Sequence, residues 1–380
     1  QGSIHNEVGR LAEKLNEIMR RETGRNFRVC LGSTGSEVVE MALHHACLEW
    51  RNRLEKMKQL QFQKFGSENE GMVRKIWDQN QQQIESARLS VITMKTAFHG
   101  HSSGARSLIG SWEQRKKFTN ILGLDSYPID NTSAGWRTQV VKCIKDAQLE
   151  LIFLKREKGH IQTYTQKQST IIAAIAEPIT GEGGVRRVSD ELLNYLATFE
   201  FPLILDEIQS GLGRSGKFLA SKGVAGNYYL LGKSLGGGLE KISALLVEKN
   251  RYIDEFGKYY ATTFGNGERA SRVAREMLNL IEALRVPARA RWKGTRIVNR
   301  LGEILDQYPD VFEEISGRGL MLGIRFRDFS SVDNIFLRLM YTRELLGYVS
   351  ASYLLNRYNI RILPTLSAPN VLRIEPSVFI

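Results

Sequence analysis

Cysteine is scarce in this chain of 380 residues. Cys30, Cys47 and Cys143 stand far apart, are odd in number and form no CxxC spacing. That pattern excludes a disulfide framework and a cysteine-based zinc site, and no other metal-ligand set suggests itself. A reducing, cytoplasmic setting is expected from it. Long apolar runs are missing too, so no membrane-spanning segment and no secretory signal are expected. No recognisable RNA- or DNA-binding module accompanies the formal charge of +12, so the basic balance reads as a solubility property rather than a nucleic-acid footprint. No internal repeat is evident.

What remains has the size and composition of a large globular chain able to bury two lobes. Apolar residues recur at helical spacing over His5–Glu22, with Val8, Leu11, Leu15 and Ile18 on one face. Phe27–Leu31 reads as a strand leading through GSTGSE into a helix over Val38–Trp50. Short apolar strands are expected at Ser90–Lys95, Thr170–Ala176, Pro202–Leu205, Tyr228–Leu231 and Ser243–Val247. Helices alternate with them, over Asp190–Phe199 for example, which implies a mostly parallel sheet covered on both faces. After a long helix at Arg269–Arg285 the pattern changes. Helices near Ile297–Tyr308 and Val332–Leu346 mix with strands at Gly319–Phe326, Ile360–Leu363 and Val371–Ile374. The division expected is a large lobe over residues 1–285 and a smaller α+β lobe over 286–380. Residues 49–88 are highly charged and Gln-rich, with a break near Gly66-Ser67-Glu68-Asn69. They read as two solvated helices inserted into the large lobe, serving as a surface hairpin or as a docking element for a carrier or partner protein.

The chemistry concentrates between Phe201 and Gly238. Asp206 ends the apolar run FPLILD, where open α/β sheets place ligands. Lys233 follows in the glycine-rich turn LGKSLGGG. A lysine amine and a carboxylate are the two groups that pyridoxal phosphate requires: one for the Schiff base, one to hold the pyridine nitrogen protonated. A phosphate-binding P-loop is the competing reading of GKS, but the glycine it needs five residues ahead of Gly232 is Asn227. Ser33, Thr34, Gly35 and Ser36 open a helix after a strand and so aim free N–H groups at an anion, although the same residues make an ordinary helix cap. Gln209 can reach a ring oxygen from its turn, and Phe98, ahead of His99-Gly100, can stack on a planar ring or belong to the core.

Taken in order, GSTGSEVVE, AFHG, AEPITGEGGV, LDEIQSGLGRSGK, LGKSLGGG, TTFGNGE, SGRGLMLGI and VLRIEP resemble the class III pyridoxal-phosphate aminotransferases, the ornithine, acetylornithine and ω-amino-acid type. The resemblance implies a fold type I α/β architecture, with a mainly parallel seven-stranded-type sheet flanked by helices and a smaller C-terminal lobe. It implies that Lys233 forms the Schiff base and carries the substrate proton, that Asp206 pairs with the pyridinium, and that Gln209 touches the ring oxygen. Phe98 would stack on the ring, with His99 and Glu177 beside the cofactor. Gly35 and Ser36 would hold the phosphate, and Thr263 would reach the phosphate of a neighbouring subunit's cofactor, making a homodimer with shared sites. Arg373 would hold the donor's α-carboxylate, and Glu182 would cover Arg373 when a substrate lacks one. Against Arg373 as a substrate ligand stands a structural ion pair with Glu375 or another acid.

The expected activity is transfer of an amino group from an amino acid, such as glutamate or an ω-amino acid, to an aldehyde or keto acid by a ping-pong route, in specialised-metabolite biosynthesis. An aminomutase or racemase of the same fold, and a non-catalytic relative acting as a scaffold, are the alternatives. The pattern departs from the family at GNGE (Gly265–Glu268) in place of GGNP, in the length of 49–88, and at both ends. Those departures fit a domain of a larger synthase, missing mobile segments, or a degenerate relative.

Overall fold

The computed structural model describes residues 5–111, 115, 123–260 and 262–379. Helix α1 (Asn6–Thr23) buries Leu11, Leu15 and Ile18, as its periodicity requires, and ends on Gly24 in the left-handed conformation. Next come β1 (Phe27–Gly32), α2 (Gly35–Ser86), β2 (Ser90–Met94), α3 (Ser103–Ser107), β3 (Asp125–Ile129) and α4 (Trp136–Asp146). The middle of the chain supplies β4 (Gln148–Glu157), β5 (His160–Ser169), β6 (Ile171–Ala176), α5 (Asp190–Leu196), β7 (Leu203–Asp206), β8 (Tyr228–Leu231) and β9 (Ser243–Glu248). The remainder runs α6 (Phe256–Tyr259), α7 (Glu268–Ala283), α8 (Val286–Gln307), β10 (Phe312–Arg318), β11 (Met321–Phe326), α9 (Ile335–Thr342), α10 (Leu346–Tyr358), β12 (Leu363–Pro364) and β13 (Val371–Ile374).

Seven strands make the main sheet, in the order β1-β9-β8-β7-β6-β2-β3. Pairings from β3 to β8 are parallel, whereas β9 runs antiparallel to both β8 and β1. Strands β6, β7 and β8 are buried at every position, which is why they read as continuous apolar runs rather than alternating ones. Apolar clusters cover both faces: α1 and α5 lie over one, the N-terminal half of α2 over the other. The C-terminal part forms a separate antiparallel sheet, β10-β11-β13-β12.

Several stretches differ from their reading in the sequence: α8 begins at Val286 rather than near Ile297, the helix expected over Val332–Leu346 is the shorter α9 with α10 following it, and the strand expected at Ile360–Leu363 is confined to β12. Helix α2 does not begin at Val38 and stop at Trp50; it runs on from Gly35, turns at Asn69 (φ −144°, ψ 43°) and returns to Ser86. Nor is its extension simply solvated, because Trp50, Leu54, Phe65, Val73, Trp77 and Ile84 are buried. β4 supplies partners, where Trp77 meets Phe153 edge-to-face with ring centroids 5.8 Å apart, and Trp50 donates to the Ser169 carbonyl at the end of β5. The β4–β5 hairpin is absent from the sequence reading, although Leu151–Leu154 in β4 is an apolar run as long as that of β8; β5 offers no such run.

Among the described residues no helix is long and apolar enough to cross a membrane, and no group of three or more His, Cys, Asp or Glu is placed to hold a metal ion.

Candidate active site

Strands β2, β6, β7 and β8 are parallel, and β1 shares their direction because it and β8 both run antiparallel to β9. Their carboxyl ends therefore open on one edge of the sheet, where a crevice forms. A cavity of about 210 Å³ lies there, lined by Thr34, Gly35, Ser36, Phe98, His99, Gly100, Glu177, Asp206, Ile208, Gln209 and Lys233. All the residues read from the sequence as cofactor ligands are among them except Thr263. That residue is exposed and lies outside the cavity, beside the exposed ring of Phe264.

Asp206 is the last residue of β7 and is only 4% exposed. One carboxylate oxygen accepts the Ile208 N–H at 3.1 Å, and the other lies 2.7 Å from Nδ1 of buried His99. With both oxygens engaged, the carboxylate is held in one orientation. Glu177 follows β6 and accepts N–H groups from Phe98 (3.0 Å) and Gly181 (3.0 Å). Burial pushes its carboxyl up to about 7, with neighbouring Asp206 adding to the rise and His99 opposing it.

At the other end of the cavity, Thr34 caps α2 by accepting the Glu37 N–H at 3.2 Å, while Glu37 accepts the Ser33 N–H at 2.5 Å. This reciprocal arrangement fixes the first turn. First-turn amides, including those of Gly35 and Ser36, have no partner within the helix and sit at its positive end. Gly100 closes the floor with φ 127°; a Cβ there would run into the Ser36 hydroxyl, so only glycine lets the 98–101 turn approach the helix this closely.

Lys233 stands between the two ends. It follows Gly232 at the start of a short 3₁₀ turn and holds φ 44°, a strained value for a residue with a side chain. Its ammonium donates to Gln209 Oε1 at 2.5 Å. Lys233 and Gln209 also line a second cavity of about 540 Å³ that reaches Arg214, Met277, Arg373 and Glu375. A larger groove of about 740 Å³ lies over α1, lined by Arg10, Lys14, Arg20 and Arg28 among others, and shares no residue with either.

Of the two residues read from the sequence as substrate contacts, Arg373 lies on the second sheet and Glu182 in the turn after β6. Arg373 on β13 pairs with Glu182 at 2.6 Å, and Glu182 also accepts the Leu366 N–H at 2.9 Å. Glu375 lies 3.5 Å from the Arg373 Nε and accepts from Gln209 at 2.8 Å. Arg373 is thus within ion-pair distance of Glu375, as one sequence reading has it, and belongs to one chain of contacts: Lys233, Gln209, Glu375, Arg373, Glu182. Sequence reasoning did not find Glu375 as the link, nor Glu207. The latter is fully buried and accepts from Ser210, the Ala220 N–H and both the N–H and hydroxyl of Ser221, which ties down the turn carrying Gln209. Its place next to Asp206 was the available signal.

The donor set fits pyridoxal phosphate. An acid locked at one end, a capped helix start at the other and an amine between them, with the half-buried Phe98 at the cavity wall, match a ring bearing a basic nitrogen, a phosphate and an aldehyde.

Solved structures share this architecture. Ornithine aminotransferase from Toxoplasma gondii is 22% identical, with a TM-score of 0.67 over 98% of this chain and 72% of that one. An amine transaminase from an uncultivated Pseudomonas species is 20% identical, with a TM-score of 0.70 over 100% of this chain and 78% of that one. The adenosylmethionine-8-amino-7-oxononanoate aminotransferase from Methanocaldococcus jannaschii is 20% identical, with a TM-score of 0.70 over 99% and 76%. At such identities these likenesses speak for the fold. The family description "Aminotransferase class-III" matches residues 1–366, so the chain belongs to the class III aminotransferases, enzymes whose cofactor is pyridoxal 5′-phosphate.

Proposed function

We propose that the enzyme moves an amino group from an amino-acid donor, glutamate or an ω-amino acid, to an aldehyde or keto acid in two half-reactions. When bound, pyridoxal phosphate supplies the carbonyl that accepts the amine and a protonated ring that takes up electrons from the substrate. Asp206, oriented by His99 and the Ile208 N–H, keeps the ring nitrogen protonated. Lys233 takes and returns the proton at the substrate's α-carbon. Gln209 holds the Lys233 amine at 2.5 Å and steadies the ring oxygen. Gly35, Ser36 and, from a second subunit, Thr263 bind the phosphate, which makes the working unit a homodimer; Phe98 stacks on the ring.

One observation carries the substrate reading: Arg373, which lines the second cavity, forms a 2.6 Å ion pair with Glu182. Both side chains are largely buried, and the arginine needs a charged partner whichever substrate is present. A donor carboxylate can displace Glu182 from Arg373, and an uncharged acceptor leaves the pair closed. One cavity then serves two substrates in turn, as a two-step exchange demands.

The same reading divides the chain into a large cofactor lobe over 1–285 and a small lobe over 286–380, with Arg285 (φ 50°) at the junction. A role in specialised biosynthesis, in the cytoplasm and alongside a carrier or neighbouring synthase domain, goes with it.

The test is spectroscopic. Holoenzyme should lose its long-wavelength cofactor band on adding an amino donor alone and regain it on adding a keto acid or aldehyde, and Lys233→Ala should show neither change. Isomerisation of a single substrate with no second substrate required would replace this reading by an aminomutase or racemase.

A further inference from the structure

The two long edges of the β4–β5 hairpin are treated differently. On the β4 side, two amide side chains of α2 take the place of a neighbouring strand. Asn80 donates to the Ile152 carbonyl and accepts its N–H, both at 2.8 Å. Gln61 does the same for Leu154, at 3.3 and 2.8 Å. The β5 side has no such cover: residues 162–167 are all exposed, and none of their outward backbone groups has a partner among the described residues.

The direction of those groups follows from the register. Ile152 and Leu154 point their N–H and C=O away from β5, so their opposite numbers, Thr165 and Thr163, point theirs away from β4. By alternation Ile161 and Lys167 do likewise. The strand is ten residues long, contains no proline and pairs with β4 without a bulge. Natural proteins seldom leave such an edge unprotected.

The edge is also complementary to itself. Residues Gln162-Thr163-Tyr164-Thr165-Gln166 read the same in both directions. Placed antiparallel about a twofold axis through Tyr164, Thr163 faces Thr165, Gln162 faces Gln166 and Ile161 faces Lys167. The outward-pointing residues of one strand then meet those of the other, as a ladder needs, and Tyr164 meets its own copy at a non-hydrogen-bonded site where side chains approach closest. No like charges come face to face. Lys167 is 4.0 Å from Glu150, and Lys155 and Arg156 are paired with Glu157 and Glu68, so the cations flanking the contact are paired and Lys158 sits apart in the hairpin turn.

We propose that β5 is a self-association edge, joining a second copy of this chain into a continuous four-stranded sheet centred on Tyr164. The contact is isologous. It lies remote from the cofactor cavity: the hairpin leads into the start of β6, and Ser90 at the start of β2 donates to the Thr170 carbonyl, whereas the site residues follow the strands' other ends. It is therefore additional to any dimer that shares active sites.

Cysteine cross-linking of the holoenzyme tests the register. At a non-hydrogen-bonded pair the Cα atoms are about 4.5 Å apart, within disulfide reach. Tyr164→Cys should form a covalent dimer under mild oxidation. Gln162→Cys, whose own copy lies four residues away along the ladder, about 14 Å, should cross-link at least tenfold more slowly, and the unsubstituted protein supplies the background from its native cysteines. In sedimentation, Thr163→Pro removes an outward N–H not used by β4 and should halve the largest assembly formed by the unsubstituted enzyme, with the cofactor band unchanged. Equal cross-linking at positions 162 and 164, no cross-linking at either, or an unchanged assembly in Thr163→Pro would each overturn the proposal.

Discussion

His99 holds Asp206 through a 2.7 Å contact between imidazole Nδ1 and carboxylate Oδ2, and both side chains are buried. Nδ1 must carry a proton for that contact to be a hydrogen bond, while Nε2 is buried and has no partner among the described residues. A protein tolerates a buried unsatisfied polar atom only where something else is gained. Here the gain is a carboxylate whose angle is fixed before the cofactor arrives. His99→Ala should weaken pyridoxal phosphate binding about 10- to 100-fold, the value of one charge-assisted hydrogen bond of about 1.5–3 kcal/mol. His99→Asn, which can still present an N–H near the Nδ1 position, should recover most of the loss. Titration of cofactor-free protein followed by absorbance reads both, and equal affinity in the Ala variant would remove His99 from the site.

Lys233 yields a prediction about stability rather than rate. At φ 44° its backbone is in the left-handed region, which costs a residue bearing a Cβ roughly 1–2 kcal/mol and glycine almost nothing. Cofactor-free Lys233→Gly should therefore be more stable than Lys233→Ala by about 1 kcal/mol, the reverse of the usual order. Urea denaturation of the two variants gives the sign directly. Both should be inactive.

The site was legible where strands are buried on both faces. IIAAIA, LIL and YYLL are apolar throughout, and the step that ends each run, Glu177, Asp206 or Gly232-Lys233, marks the sheet edge where ligands bind. What the sequence hid depends on contacts between distant segments. Trp50, Leu54, Phe65 and Trp77 sit in a charged, Gln-rich background, and segments some 70 to 120 residues on, β4 and the end of β5 among them, explain their burial. β5 alternates polar side chains on both faces and has no apolar stripe to detect. Glu375 links Gln209 to Arg373 because β13 ends beside the 207–211 turn, a proximity that local pattern cannot disclose.

Arg373 and Glu182 predict a split by substrate class. Arg373→Ala should lower kcat/KM for donors bearing an α-carboxylate by about 30- to 1,000-fold, equivalent to about 2–4 kcal/mol of lost charge-assisted binding. Simple amines, which make no use of that arginine, should change little. Glu182→Ala should act the other way and favour carboxylate donors, since Arg373 is then uncovered, while slowing the half-reaction of an uncharged acceptor. Uniform loss across both classes would assign the pair a structural role only.

Glu177 sets a pH dependence. Its carboxyl is raised from an ordinary 4.5 to about 7 by burial, so the folded protein prefers the protonated form. A carboxyl shifted upward contributes stability that is complete below pH 4.5 and fades as the pH climbs through 7. The full difference is up to about 3 kcal/mol. Cofactor-free protein should lose stability between pH 5 and 7.5, and Glu177→Gln should flatten that slope even though its amide can accept only one of the Phe98 and Gly181 N–H groups with its oxygen. Denaturation midpoints across this pH range for the two proteins decide the matter, and parallel curves would count against the buried carboxyl as their source.

Asn80 tests how the accessory arm is held. It is 1% exposed and satisfies both backbone groups of Ile152. Asn80→Ala strands a donor and an acceptor in a buried setting, each costing about 1–3 kcal/mol. Because the arm packs against the start of the sheet strands through α2 and β4, the loss should stay local. Amide exchange at residues 150–156 should accelerate at least tenfold, with exchange in β7 and β8 unaltered and transamination preserved. Asn80→Asp separates hydrogen bonding from volume: a carboxylate can accept the Ile152 N–H but cannot donate to its carbonyl, so the Asp variant should open the hairpin as readily as Ala does despite filling the same space.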